Sequence, residues 1–224
     1  MIKNQILKIV TLMLSVFAIS AHAHAAAEVE SKFRYPFYIG IIGGYGATTW
    51  EGLVPKKSKN MAAIMMSTPV EVTEGGVVWG AYVGYEYNPY FALEGSYARY
   101  PNAKVSFDPS SLFSFEHNGL ASLSTHTETA AINGKIMLII PCTTVRAYSS
   151  FGVAGIHRYD QIVEHWRATP TFGVGLNYNF TDHVMGEFGA NYTAGYGESE
   201  LSPAEDYLPF LYSVVFRVAY RFGF

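Results

Sequence analysis

The chain has 224 residues, with 15 Lys+Arg against 18 Asp+Glu, a single cysteine, and a high content of Tyr (17), Phe (15) and Gly (21). That length points to one domain, one cysteine excludes an internal disulfide, and the slightly acidic balance, a net charge of −3, argues against nucleic acid as a partner. A mean hydropathy of only +0.12 beside so many aromatics means that greasy and polar residues alternate rather than cluster.

Residues 1–25 carry Lys3 and Lys8, then an apolar run over 9–19, then Ala21-His22-Ala23-His24-Ala25. Charged, apolar, small is the order of a secretory signal peptide, with cleavage after Ala23 or Ala25. The run is shorter than the roughly 20 residues a spanning helix needs. Removing Lys3 and Lys8 from the 15 bases leaves 13 against 18 acids, a net charge of −5. A short segment, 26–35, then leads into one domain, 36–224.

From residue 36 the apolar positions recur with period two, as in strands. Residues 36–50 place Phe37, Ile39, Ile41, Tyr45 and Ala47 on one face and Tyr38, Gly40, Ile42, Gly44 and Gly46 on the other. A polar stretch, 51–75, carries Lys56, Lys57 and Lys59. Residues 76–88 turn Val77, Trp79, Ala81, Val83, Tyr85 and Tyr87 one way and Gly80, Tyr82, Gly84 and Glu86 the other. Asn88-Pro89 is a tight turn, because Pro fixes its own φ and restricts the residue before it. A third strand starts at Tyr90, with Phe91, Leu93 and Tyr97 opposite in sense to Ala92, Glu94 and Ser96, and a second long loop spans 101–120.

A fourth strand, 121–140, puts Ile132, Ile136, Leu138 and Ile140 on the greasy side and Asn133 and Lys135 on the other. Pro141-Cys142-Thr143 is a short turn, in which Cys142 reads as a thiol without a partner; the fifth strand, 144–159, sets Val145, Phe151 and Val153 against Arg146, Ser150 and Gly152. After a short loop, 160–164, the sixth strand, 165–180, alternates Phe172, Val174, Leu176, Tyr178 and Phe180 with Gly173, Gly175, Asn177 and Asn179; Pro170 reads as a bulge. Thr181-Asp182-His183 is tight, the seventh strand, 184–196, sets Phe188, Ala190 and Tyr192 against Glu187, Asn191 and Thr193, and 197–208 is an acidic loop with Glu198, Glu200, Glu205 and Asp206. The last strand, 209–224, has one register of Phe210, Tyr212, Val214, Phe216, Val218, Tyr220, Phe222 and Phe224, and another with Arg217 and Arg221.

Eight such strands, joined by alternating long and short connections, imply an all-β, eight-stranded antiparallel up-and-down barrel that turns its greasy face to lipid. Both ends of the mature chain and the turns at Asn88, Pro141 and Asp182 then face the periplasm. No repeat, second domain or peptidoglycan-binding segment after Phe224 is read. The hairpins GAYVGYEYNPYFALEGSYARY and FGVGLNYNFTDHVMGEFGANY resemble the OmpA/OmpX-type (opacity/Ail-Lom-like) eight-stranded outer-membrane barrel superfamily. The closing strand also resembles the carboxy-terminal signal by which such barrels reach their insertion machinery, carried here by Phe216, Val218, Tyr220, Phe222 and Phe224. The superfamily includes structural proteins, adhesins, serum-resistance proteins and a few lipid-modifying enzymes.

The inward charged set is Glu86, Glu94, Lys135, Arg146, Glu187, Arg217 and Arg221. A lumen this narrow is filled by side chains, so these charges must pair; an ionic core or a narrow gated pore needs the same residues. Ser124, His126 and Glu128 share one face of the fourth strand, the order of a hydroxyl activated by a base and an acid, as in some lipid A deacylases. At nearly 7 Å per two residues they are poorly placed to touch, and no enzyme activity is the expectation. His157, His165 and His183 do not form a metal cluster, and no cofactor is expected. The expected partners are outer-membrane lipid and lipopolysaccharide, the barrel assembly machinery and a host surface molecule, for a monomeric protein of a diderm bacterium working through its loops. Opposite charge predicts that the Lys56–Lys59 stretch and the acidic last loop meet over the barrel mouth, loosening with salt.

Overall fold

The computed structural model describes residues 35–49, 69–107, 122–141, 143–161, 163–196 and 208–223. The expected signal peptide, Cys142, Phe224 and both members of the expected lysine–acid lid lie outside the described residues. Among the described residues ten strands form: β1 (Phe37–Thr48), β2 (Pro69–Thr73), β3 (Gly75–Asn88), β4 (Phe91–Arg99), β5 (Ala103–Phe107), β6 (Ser122–Ile139), β7 (Val145–Tyr159), β8 (Glu164–Asn179), β9 (Val184–Thr193) and β10 (Leu211–Phe222). The eight long ones close into an antiparallel barrel, β10 pairing with β1 and β6 with β7 to complete the ring. Closure removes the sheet edge that an open wall would expose.

Alternation decides the two faces. Along β10, Leu211, Ser213, Val215, Arg217, Ala219 and Arg221 are buried while Tyr212, Val214, Phe216, Val218 and Tyr220 are exposed. The same inversion runs round the wall, with Ile41, Val77, Ile132, Phe151, Val174 and Phe188 all more than half exposed. A wall that is greasy outside and polar inside is stable only where lipid covers it. No helix among the described residues is long and apolar enough to cross a membrane; the crossing is made by strands.

The β3–β4, β6–β7 and β8–β9 turns lie at the end where Phe37 pairs with Phe222 and Tyr85. Short polar side chains close them: Asn88 Oδ1 accepts from the Tyr90 amide at 2.9 Å, and Thr181 Oγ1 accepts from the His183 and Val184 amides at 3.2 and 3.0 Å. Such Asx- and ST-type bonds substitute for backbone ones where the ladder must stop.

The opposite end departs from the sequence expectation in three ways. First, the stretches read as loops over 51–75 and 101–120 each contain a strand. β2 pairs with β5, and β5 with the start of β6, so the β3–β4 pair continues upward beyond a kink. The kink needs Gly76, where a Cβ would lie 2.8 Å from that of Pro101. Second, Pro170 is no bulge: β7 and β8 run past it in unbroken register, Val153 opposite Pro170. Its carbonyl accepts from the Ala194 amide on the β9 side. A strand residue's N–H and C=O point the same way, so the missing donor also faces β9, just beyond the end of that ladder. Third, β9 ends at Thr193, and the chain returns through an isolated Tyr196–Leu208 bridge before β10.

This end of the lumen is plugged by apolar side chains. Val78, Tyr100, Ile156, Leu208, Leu211 and Val215 form one buried cluster. The Tyr100 hydroxyl lies 3.3 Å from Ser213 Oγ. The middle of the barrel is instead packed by tyrosine on glycine: Tyr38 stands directly opposite Gly84, and Tyr148 opposite Gly175. A Cβ at Gly84 would collide with the Tyr38 ring, and one at Gly175 would come within 2.7 Å of the Tyr148 hydroxyl. Gly84→Leu is therefore expected to abolish the heat-modifiable gel mobility of the folded barrel, or to cost about 1–3 kcal/mol or more where it folds. Gly95→Leu, on the outer face with its nearest contact at 3.8 Å, should fold normally in the same gel assay.

Candidate functional site: the ion network of the lumen

One row of directly opposed residues crosses four strands: Arg146 on β7, Asn177 on β8, Glu187 on β9 and Arg217 on β10. Because each is an immediate cross-strand neighbour of the next, the ladder itself brings them within reach. Glu94, Lys135, Glu86 and Arg221 enter from β4, β6, β3 and β10, and all seven charged residues of the expected inward set are buried.

They form two layers. In the middle of the barrel Lys135 Nζ lies 3.1 Å from Glu94 Oε2 and 2.7 Å from Glu187 Oε1. Arg217 Nη1 reaches Glu187 Oε2 at 2.9 Å, and its Nη2 closes the ring on Glu94 Oε1. The result is a four-membered ring of alternating charge with two acids and two bases. The Tyr38 hydroxyl donates to Glu94 Oε2 at 3.2 Å and Asn177 Nδ2 to Glu187 Oε1 at 2.8 Å, so every carboxylate oxygen has a donor. Nearer the short turns, Arg146 donates to both Glu86 oxygens at 2.8 and 3.3 Å, and Arg221 joins the same carboxylate. Asn177 Oδ1 accepts from Arg146 at 2.9 and 3.2 Å, so one amide bridges the layers.

Aromatic faces complete the cage. The Tyr82 ring lies 3.7 Å from the Arg217 guanidinium carbon, and the Tyr148 ring 4.3 Å from Lys135 Nζ. Cation–π attraction is strongest where water is excluded, as here. These tyrosines and the bridging role of Asn177 were not singled out from sequence. The available signal was register, since Tyr38 and Tyr148 each face a glycine across the ladder.

Above the ring is a small polar space of about 50 Å³, bordered by Arg217, Glu94, Asn133 and Thr193, and beyond it the apolar plug. A second buried ion pair caps the plug: Arg158 reaches Asp160 Oδ2 at 2.8 Å, and Thr125 Oγ1 donates to the same oxygen at 3.0 Å. Neither residue stood out in the sequence, because both sit where a strand passes into a short hairpin.

Of the other expected groupings, the serine–histidine–glutamate set falls on the outer wall, whereas His165 faces inward opposite Arg158. Ser124, His126 and Glu128 do share the outward face of β6. His126 stacks on Tyr159 with centroids 4.6 Å apart, Glu128 approaches His157 Nδ1 at 4.0 Å, and Ser124 stands opposite Lys104. Each therefore has its contacts across the sheet rather than along the strand. His157 lies flat on Trp166 at 4.6 Å, whereas His183 packs at the opposite end between Tyr35 and Tyr220. No group suited to holding a metal occurs among the described residues. Of the closing strand, Phe216, Val218 and Tyr220 face outward and Phe222 stacks on Phe37 at 5.9 Å.

Leaving a buried charge without its counter-ion costs about 3–5 kcal/mol, whereas an exposed pair contributes under about 1 kcal/mol. Glu187→Ala should therefore lower stability toward urea in lipid vesicles by the larger amount. Glu164→Ala, whose carboxylate is 75% exposed, should lower it by the smaller. Equal losses would contradict the ring as the stabilising element.

No curated protein sequence matches the chain. Among solved structures it is similar to Neisserial surface protein A, at 12% identity over 83% of this chain and 97% of that one, with a TM-score of 0.53. It is also similar to the outer membrane protein OprG of Pseudomonas aeruginosa, at 12% identity over 85% and 98% of the two chains with a TM-score of 0.50. The outer membrane protein AlkL gives 12% identity over 85% and 92%, with a TM-score of 0.52. These likenesses extend to the fold. The family described as outer membrane protein beta-barrel domain matches residues 9–222, nearly the whole chain; with a closed, lipid-facing, eight-stranded wall already established, the chain belongs to that family and resides in the outer membrane.

Proposed function

We propose that this barrel acts as a closed platform for surface interaction, with its short turns in the periplasm and its long connections at the cell surface. The observation that carries the reading is the sealed lumen. Two ionic layers, an apolar plug and the Arg158–Asp160 cap follow one another along the axis. The small polar space of about 50 Å³ between ring and plug is on the scale of one or two waters. Conduction as a narrow gated pore would require breaking the four-membered ring and displacing the plug together. Hydrolysis of lipid A on the outer wall would require Ser124 and His126 to abandon their separate cross-strand neighbours.

The raised β2–β5–β6 wall gives the connections a rigid base, and Trp166 and Tyr159 on the neighbouring strands suit the membrane–water boundary. A host surface molecule or lipopolysaccharide is the partner class this platform would meet, and the assembly machinery would read the outward aromatics of β10. Replacing residues 108–121 by a short Gly-Ser turn is expected to leave heat-modifiable mobility unchanged while lowering adhesion of whole cells to host surfaces about tenfold. The purified protein in planar bilayers should give no conductance steps. Adhesion unchanged by that replacement and by the same change at 51–68, or regular conductance steps, would reject the platform reading.

A further inference from the structure

The outer wall carries a concavity in its long-loop half, with a volume of about 550 Å³, across β1, β10, β9 and β8. Its origin lies in the register. Tyr45, Val214, Ala190 and Val174 stand side by side in one row across the four strands. The row toward the loops contains Tyr212, Tyr192 and Phe172; the row toward the turns contains Phe216 and Phe188. The concavity is thus lined by a row floored with Ala190 and two valines and by the aromatic row on its loop side, and Phe216 and Phe188 stand one row beyond it. Phe188, Phe216 and Tyr212 stand about half exposed.

The dimensions select the occupant. The two rows that line it are two residues apart along the strand, about 7 Å at strand rise. A helix, about 10–12 Å across with side chains, does not enter. Three strand spacings give a trough about 14 Å long. Strands in barrels of this size tilt by about 35–45°, so a trough perpendicular to them runs obliquely through the leaflet. The wall faces hydrocarbon, and there is no hydrophobic drive between apolar surfaces within lipid. A chain held here is held by dispersion contacts, which a concave aromatic surface multiplies. The Tyr45 hydroxyl lies beside Gly75 on the loop side, where a tyrosine's polar tip meets the interface. A hydroxyl there can donate to an ester carbonyl.

We propose that this trough seats one ester-linked acyl chain of lipopolysaccharide in the outer leaflet. The proposal rests on the outward placement of the long connections given above. That placement turns the loop half of the wall toward the leaflet in which lipopolysaccharide resides.

The test extracts the full-length protein from outer membranes in a mild detergent and weighs it by native mass spectrometry. The wild type should retain one adduct of lipid A mass. Ala190→Trp, which fills the trough floor, should reduce that adduct at least fivefold. Ala130→Trp, outward on β6 away from the trough, should retain it. Heat-modifiable mobility confirms folding, and Ala190→Leu replaces the tryptophan variant if that one does not fold. No adduct on the wild type, adducts of phospholipid mass only, or equal loss in both tryptophan variants overturns the proposal. Protease added to intact cells reads orientation separately. Cleavage within 108–121 with no lipid A adduct sinks the trough alone, whereas protection of that stretch sinks the outward placement and the proposal with it.

Discussion

The ring of Lys135, Glu94, Arg217 and Glu187 is the constraint the rest of the barrel accommodates. A wall with lipid outside cannot place its apolar residues in the middle, so the hydrophobic effect that stabilises a soluble core acts here on insertion instead. The interior must be held by polar contacts, and in a narrow lumen these are desolvated. Charges so placed persist only when each has partners for all its oxygens or protons. The ring meets that demand with four ions, Tyr38 and Asn177, supplied by six of the eight long strands. Strands that share a ring are tied in position round the barrel as well as to their ladder neighbours, which disfavours slippage of any one strand.

Glycine makes the ring possible. Four long charged side chains and three tyrosines exceed what a narrow lumen accepts unless the opposing wall carries no side chain. Tyr38 lies across Gly84, and Tyr148 packs against Gly175 and Gly189. Those glycines weaken a strand in isolation, but here the tyrosine ring occupies the space a side chain would have taken. The Tyr148 ring also lies against Lys135, and the Tyr82 ring, which packs on Gly40, lies against Arg217, so one packing device both fills the lumen and shields its charges.

Most of this was legible in the sequence for a simple reason: period-two alternation over nine or more residues admits only one face assignment. All seven inward charges and the eight long strands follow from it. The pairing partners do not, because they depend on register and on the rotation accumulated around the ring. Arg146 meets Glu86, 60 residues away and on no neighbouring strand. The short strands β2 and β5 were hidden because five residues next to Pro69, Gly75 and Pro101 read as loop. Pro170 was misread because a proline's effect depends on which side of the strand its missing N–H would face, and periodicity is blind to that side. The apolar plug was missed because Tyr100 and Leu208 lie outside the long strands, Tyr100 between β4 and β5 and Leu208 at its isolated bridge with Tyr196.

The two ends of the barrel divide the remaining work. At the turn end, connections of a few residues are closed by Asn88, Thr143 and Thr181, and His183 accepts the Arg221 amide on its carbonyl at 2.7 Å. Little can change there without losing register. At the other end the wall bends, the plug seals the lumen, and Arg158–Asp160 closes the plug from above. Among the described residues, the buried contacts end at the level of that ion pair. A platform of the kind proposed, fixed by the contacts of its wall and lumen, leaves surface loops open to change, which is the physical condition for a surface whose contacts vary while its barrel does not.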